Sequence, residues 1–187
     1  MEGKILYFDT PGKINTDSTL MAVRQRADEL KIKQIVLAST HGYTAKRAAE
    51  VFQGRKVDII AVSICAGFDE EGWTMSRGER EELESRGIKV ITGLHSLGDD
   101  VSEAFMESAP NRVVRETLYR FCQGMKVAVE VSLMAADAGV LDVSCEVIAV
   151  GGTNEGADTA IVLKPAYTRR FKDIEIREII AKPRSRG

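Results

Sequence analysis

Residues 34–53, QIVLASTHGYTAKRAAEVFQ, carry the pattern that is most informative about the fold. The stretch opens with apolar residues 35–38, which are short and β-branched enough for a buried parallel strand. Small and hydroxyl-bearing residues and a glycine follow, and Thr44 then predicts the N-cap of a helix. A strand that leads through a tight turn into a helix N-terminus presents backbone N–H groups and a positive dipole end to an anion. The stretch therefore predicts a phosphate site in an α/β domain; a plain strand-to-helix loop with capping hydroxyls explains it equally well.

Strands and helices alternate along the rest of the chain. Strands are predicted at residues 4–8, 35–38, 57–62, 88–91, 146–150, 159–163 and 174–180. Helices are predicted at about residues 16–30, 44–52, 76–87, 110–123 and 125–138, with a short helix near 101–106. This alternation indicates a single α/β domain over residues 1–187, with helices on both faces of a mainly parallel sheet.

Composition excludes several classes of partner. The 187 residues carry 26 basic and 28 acidic side chains, a balance without the positive footprint of a nucleic-acid or anionic-membrane binder. Apolar runs are shorter than the roughly 20 residues that span a bilayer, and the N-terminus has no signal-peptide pattern. Three scattered cysteines are typical of reduced thiols, so we expect a cytoplasmic protein. The two histidines have no matched acidic spacing, so no metal site is predicted.

The turn at residues 39–45, STHGYTA, resembles a hydroxyl turn in the α/β carboxy-terminal domain of pyruvate kinase. Over nearly the whole chain, the closer resemblance is to stand-alone pyruvate kinase C-terminal (α/β) domain-like proteins of archaea and bacteria. The motifs that carry it are residues 11–12 with 15–16, the turn above, 131–139 (VSLMAADAG), 151–153 (GGT) and 156–160 (GADTA).

This resemblance implies a three-layer α/β/α sandwich with a mainly parallel five-stranded mixed sheet, its last strand antiparallel. It also implies a ligand that carries a phosphate, with flavin mononucleotide (FMN) as the expected cofactor. Pyruvate kinase activity is not expected, because that chemistry belongs to a barrel of roughly 250 residues that this chain is too short to contain.

Two turns form the predicted site. Ser39, Thr40, Gly42 and Thr44 would cradle the phosphate, because hydroxyls donate hydrogen bonds and glycine admits close approach of the backbone. The second wall follows the strand at residues 146–150, and both turns should lie at the carboxyl edge, where open α/β sheets bind ligands. Its predicted residues are Gly151, Gly152, Thr153, Gly156 and Ala157.

Four further polar residues are placed on the same rim, each with an alternative. Asp158 could accept a hydrogen bond from a ribityl hydroxyl or ring N–H, or cap the following turn. His41 and His95 could contact phosphate or act as acid or base, or be ordinary loop histidines. Asn15 could reach the ligand or be a simple helix N-cap. Catalytic residues are not assigned.

Glu130 and Trp73 have two interpretations each. Glu130 stands alone among the apolar residues of its helix and is either a buried acid with a partner or, as we favour, part of a solvent-facing stripe. Trp73 could stack on a flavin ring or pack on the surface. Near the phosphate turn, the only cations close in sequence are Lys46 and Arg47.

Three functions are consistent with these observations. The first is binding of a phosphorylated cofactor, FMN first, at the carboxyl edge of the sheet. The second is a regulatory or sensor module that binds a sugar phosphate or nucleotide without catalysis. The third is an enzyme, either a flavin-dependent reductase or a phosphate-ester hydrolase. The apolar helix at residues 125–138 could form a homo-oligomer seam, although core burial explains it without one.

Overall fold

The computed structural model describes residues 3–98 and 110–185. Their strands form one seven-stranded sheet in the order β1-β7-β6-β5-β2-β3-β4. The strands are β1 (Leu6–Phe8), β2 (Gln34–Ala38), β3 (Asp58–Ile64), β4 (Lys89–Gly93), β5 (Val147–Gly151), β6 (Thr159–Lys164) and β7 (Glu175–Pro183). The predicted number of five strands is therefore wrong, whereas every strand predicted from the residue pattern is present.

The sheet is mixed because one strand runs against the others. β5, β2, β3 and β4 pair in parallel, and β6 is antiparallel to both β5 and β7. β1 then pairs in parallel with β7 at the edge. The resemblance implied that the last strand is the antiparallel one; instead β6 is antiparallel, and β7 and β1 extend the sheet beyond it.

Helices cover both faces of the sheet. They are α1 (Thr16–Leu30), α2 (Tyr43–Val51), α3 (Arg77–Ser85), α4 (Pro110–Tyr119) and α5 (Gln123–Asp137). Buried residues of α1, α2 and α3 form one apolar cluster with the sheet, and those of α4 and α5 form a second on the opposite face. None of the helices described is long and apolar enough to cross a membrane.

Local sequence chemistry explains most helix ends. Ser76 and Glu79 form the capping box that opens α3. α5 ends before Gly139, whose φ of 71° suits a glycine C-cap. α4 ends at Tyr119, so the predicted extension to residue 123 is wrong, and Gly124 lies inside α5. The helix predicted near residues 101–106 falls outside the described residues.

Two helix N-termini meet at the carboxyl edge of the sheet. α2 follows the carboxyl end of β2 directly. The start of α5 lies beside the carboxyl end of β5, since a Cβ added to Gly151 would come 2.4 Å from the Gly124 carbonyl oxygen. This edge is where parallel α/β sheets bind ligands.

Candidate functional site

A cavity of about 420 Å³ opens at this carboxyl edge. Its walls come from the ends of β2 and β3, the first turn of α2, one face of α5 from Gln123 to Met134, and the loop between β5 and β6. The volume is in the range of about 300–1,000 Å³ typical of small-molecule sites. The predicted residues Ser39, Thr40, His41, Thr44, His95, Gly152 and Gly156 line it.

The hydroxyl side of the cavity is built around the start of α2. The buried Ser39 accepts a hydrogen bond from the backbone N–H of Ala45 (3.3 Å), which fixes the helix N-terminus beside the cavity. Gly42, with φ of 82°, is the N-cap residue, so the prediction that Thr44 is the N-cap is wrong. Thr44 instead lies in the first turn, where helix N–H groups have no intrahelical acceptor.

Gly42 itself does not line the cavity. A Cβ at this position would contact the side chain of Leu83 at 3.3 Å, and the positive φ favours glycine independently. Its role is therefore to make the turn and admit α3 rather than to admit a ligand.

Ser63 is a cavity residue that the sequence analysis missed. It lies near the carboxyl end of β3, is only 2% exposed, and its hydroxyl has no hydrogen-bond partner in the described part of the chain. Leu37 and Ala61 belong to the core beneath α2, so strand alternation places Ser39 and Ser63, each two residues further on, on that same side. A small polar residue ending the apolar run VDIIAVSI was the signal available in the sequence.

The second predicted wall only partly reaches the cavity. Gly152 and Gly156 line it, whereas Gly151, Thr153 and Ala157 are not among the lining residues. A Cβ on Gly152 would lie 2.3 Å from the Gly156 carbonyl oxygen, and one on Gly156 would lie 2.4 Å from Thr16 Oγ1. Contacts within the protein therefore account for these glycines.

Asp158 and Asn15 make contacts within the protein, and Asn15 stands at the N-cap position of α1 without a capping hydrogen bond from its side chain. The fully buried Asp158 accepts hydrogen bonds from the backbone N–H of Gly12 (2.8 Å) and of Thr153 (3.2 Å), and from the Thr159 hydroxyl (2.8 Å). It joins the β5–β6 loop to the chain before α1. The Asn15 amide donates to the carbonyl oxygen of Thr10 (2.7 Å), and neither Asn15 nor Asp158 lines the cavity.

The two histidines lie on the rim with different partners. His41 Nε2 is 2.8 Å from the carbonyl oxygen of Gly72, and its Nδ1 is 3.2 Å from Glu79 Oε1. Hydrogen bonding to Ser76 lowers the pKa of the Glu79 carboxyl, and nearby His41 adds to this effect. His95 packs at a tilt against Phe68, with ring centroids 5.3 Å apart.

Trp73 packs on a protein ring at the cavity mouth. Its ring stacks on Phe68 with centroids 5.8 Å apart, and it also lines the cavity while remaining 51% exposed. An aromatic surface made of Phe68, Trp73 and His95 therefore borders the cavity.

The α5 side of the cavity is mainly apolar, with Gln123 at its start and one ion pair further along. Lys126 and Glu130, whose side chains are 7% and 3% exposed, form a hydrogen-bonded salt bridge and both line the cavity. Glu130 also accepts a hydrogen bond from the backbone N–H of Leu97 (3.0 Å). The favoured interpretation of Glu130 as part of a solvent-facing stripe is wrong. The signal for the buried pair was Lys and Glu spaced i,i+4 in an apolar helix.

Apolar residues complete this side of the cavity. They are Ala38, Val62, Ile64, Val127, Val131 and Met134. The cavity therefore has a hydroxyl side next to the α2 N-terminus and an apolar side against α5. Across the described residues, no group of three or more His, Cys, Asp or Glu side chains could hold a metal ion.

Comparison with known proteins gives one family match. The family model for the pyruvate kinase alpha/beta domain matches residues 17–163. Among solved structures, a pyruvate kinase from Cryptosporidium parvum is 13% identical with a TM-score of 0.41, over 81% of this chain and 23% of that one. A hydrogen sulfide-producing enzyme from Fusobacterium nucleatum is 15% identical with a TM-score of 0.33, over 67% of this chain and 42% of that one. The chain thus spans less than a quarter of the pyruvate kinase that it matches.

Proposed function

This chain belongs to the pyruvate kinase alpha/beta domain family, and from that premise we propose that it binds a phosphorylated cofactor, FMN first, in the cavity at the carboxyl edge of its sheet. The observation that carries the proposal is Ser63, a buried cavity hydroxyl without a partner in the described chain. An unsatisfied buried polar group costs about 1–3 kcal/mol, which a hydrogen bond to a ligand would recover.

The hydroxyl side of the cavity fits the phosphate. Backbone N–H groups at the start of α2 and the hydroxyls of Thr40, Thr44 and Ser63 supply donors, and the helix dipole favours an anion there. Lys46 and Arg47 are committed elsewhere, to Glu82 (2.6 Å) and Asp17 (2.9 Å). Phosphate binding would therefore depend on the helix and the hydroxyls.

The α5 side of the cavity fits a flat ring. Its aliphatic side chains give an apolar wall, and Trp73 and His95 stand on the rim. FMN, when bound, supplies hydride and single-electron transfer. The residues of this chain would bind and orient it, and pyruvate kinase chemistry is not expected of a chain that spans less than a quarter of that enzyme.

The test is an absorbance spectrum from 300 to 600 nm of the purified protein before and after FMN addition and desalting, followed by a fluorescence titration. We expect retained flavin bands in the wild type. Thr44→Asp should abolish retention, because a carboxylate in the first turn of α2 would repel phosphate. Thr44→Asn is the matched control, because asparagine has the shape of aspartate without its charge, and this variant should retain binding. A wild type that shows no flavin bands after excess FMN is added and removed by desalting would contradict the proposal.

A regulatory module that binds a sugar phosphate is the second candidate. It requires only the hydroxyl side of the cavity, which Thr40, Thr44 and Ser63 line. Calorimetric binding of ribose 5-phosphate without binding of FMN would support this function over a flavin-dependent reductase.

A further inference from the structure

The Lys126–Glu130 pair is the charged feature of the α5 wall, whose lining residues also include Gln123 at the start of the helix. Replacing a buried ion pair with apolar residues of similar size is often neutral or stabilising. The pair is therefore not explained by stability alone, and its position in the cavity wall gives it access to a ligand.

Both members of the pair have hydrogen-bonding capacity left. A lysine ammonium has three donors, and within residues 3–98 and 110–185 the acceptor that Lys126 reaches is Glu130. The Glu130 carboxylate accepts from Lys126 and from the Leu97 N–H, whereas a carboxylate has about four acceptor positions. By this count, about two donors of Lys126 and about two acceptor positions of Glu130 remain, and both residues line the cavity.

The charge of the pair indicates which ligand group it suits. Because Lys126 and Glu130 are both buried and oppositely charged, the pair is neutral overall, and the Glu130 carboxylate would repel a phosphate. A neutral group with an adjacent carbonyl and N–H uses both members. The imide edge of a flavin has this arrangement.

We propose that Lys126 and Glu130 form a subsite that binds the imide edge of the cofactor ring, with Lys126 donating to a ring carbonyl and Glu130 accepting from the ring N–H. The inference rests on the proposed function. It assigns recognition of the ring to Lys126 and Glu130, whereas the hydroxyls near the start of α2 bind the phosphate.

The test compares FMN with 3-methyl-FMN, in which a methyl group replaces the imide hydrogen. Dissociation constants are measured by flavin fluorescence for the wild type and for K126M/E130L. This double variant removes both charges together and replaces the two side chains with apolar ones. R77M/E81L removes an exposed i,i+4 pair on α3 and is the matched control. Calorimetry with ribose 5-phosphate, which lacks the ring, monitors the phosphate end.

We expect methylation to weaken binding to the wild type at least about tenfold, because it removes the N–H and leaves a buried acceptor unsatisfied. K126M/E130L should bind FMN about tenfold more weakly, no longer distinguish the two flavins, and bind ribose 5-phosphate as the wild type does. R77M/E81L should behave as the wild type throughout.

Equal binding of both flavins by the wild type would overturn the inference and leave the proposed function standing. A K126M/E130L variant that loses ribose 5-phosphate as strongly as FMN would also overturn it, since the pair would then serve the phosphate. A wild type that binds no FMN would overturn both proposals. If the double variant fails to fold, the comparison of the two flavins on the wild type still decides.

Discussion

Ser63 and Ser132 are both buried serines, but they differ in their hydrogen bonds. The Ser132 hydroxyl donates to the carbonyl oxygen of Val129 (2.7 Å), whereas that of Ser63 has no partner in the described chain and lines the cavity. Most buried hydroxyls in folded proteins are hydrogen-bonded. In the proposed function, the ligand supplies the partner that the Ser63 hydroxyl lacks.

Ser63→Ala distinguishes a role of this hydroxyl in ligand binding from a role in stability. It removes no hydrogen bond of the described protein, so we expect the free energy of unfolding in urea to be unchanged or to rise by up to about 1 kcal/mol. FMN affinity should fall about five- to tenfold, which corresponds to a hydrogen bond of about 1 kcal/mol. Ser132→Ala, outside the cavity lining, is the control and should leave affinity unchanged. A large loss of stability in Ser63→Ala without loss of affinity would be inconsistent with a ligand contact.

Asp158 illustrates the opposite case, a predicted ligand residue whose described contacts are all internal. Asp158→Ala would remove the oxygen Oδ2, which accepts from the backbone N–H groups of both Gly12 and Thr153. We expect the free energy of unfolding to fall by about 2–3 kcal/mol, since buried donors lose their acceptor. Urea denaturation measures this, and an unchanged midpoint would argue against the structural role.

The close packing of α5 against β5 and β6 depends on glycine. A Cβ on Gly124 would lie 2.2 Å from Thr159 Oγ1 and 2.8 Å from Asp158 Oδ1. The same region of α5 carries Lys126 and Glu130, so this contact also sets the position of the cavity wall. Glycine here allows a helix and a strand to approach closely, despite its cost to helix stability.

Gly124→Ala should destabilise the protein by about 1–3 kcal/mol, because the added methyl overpacks the contact between α5 and β6. Gly78→Ala in α3 is the matched control, because a Cβ there meets nothing within 4 Å. That control should stabilise by about 0.5–1 kcal/mol through helix propensity. Thermal unfolding measures the melting temperatures of both variants, and a shift of both in the same direction would contradict this account.

A bidentate ion pair joins α1 to β7. Arg26 Nε donates to Glu178 Oε2 (2.7 Å) and Arg26 Nη2 donates to Glu178 Oε1 (2.6 Å). These hydrogen bonds lower the pKa of Glu178 below its ordinary value of 4.5 and raise the pKa of Arg26. Because folding favours the ionised form of Glu178, the pair stabilises the protein at pH values above 4.5.

Glu178→Gln should therefore destabilise the protein by about 1–2 kcal/mol at pH 7, in line with charge-assisted hydrogen bonds that are partly exposed. The difference from the wild type should shrink as pH falls below 4.5, where Glu178 becomes protonated in the unfolded state and then in the folded state. Urea denaturation from pH 7 to pH 3 measures it. A difference that stayed constant over this range would contradict the assignment.

At the level of the complete sheet, β7 is interior although it lies near the end of the chain. It pairs with β6 on one side and with β1 on the other, and Ile180 and Ala181 are buried. β1 has three residues, all exposed or half-exposed, and only β7 beside it. The edge strand β1 and the interior strand β7 thus contribute very differently to the fold.

Deletion of residues 1–8 should lower the melting temperature by a few degrees and keep a cooperative transition, because it removes only a short edge strand. Deletion of residues 175–187 should abolish cooperative unfolding, because it exposes the hydrogen-bonding edge of β6 and opens the core. Differential scanning calorimetry distinguishes these outcomes, and equal effects of the two deletions would be inconsistent with an interior β7.

The element positions followed from the sequence because they depend on local chemistry. Alternating and continuous apolar runs located all seven strands, and the helix predicted from residue 76 matches α3, which Ser76 caps. The resemblance, by contrast, implied five strands, whereas the described residues form seven.

The same local chemistry indicated the hydroxyl turn at residues 39–45, which does line the cavity. Strand order, the missing partner of Ser63 and the burial of Lys126 with Glu130 came only from the tertiary structure. Each depends on contacts between segments far apart in the chain, and a hydroxyl or an ion pair has the same letters in the sequence whether it faces solvent or a cavity. Local periodicity specifies which face of an element is apolar, whereas packing decides what that face meets.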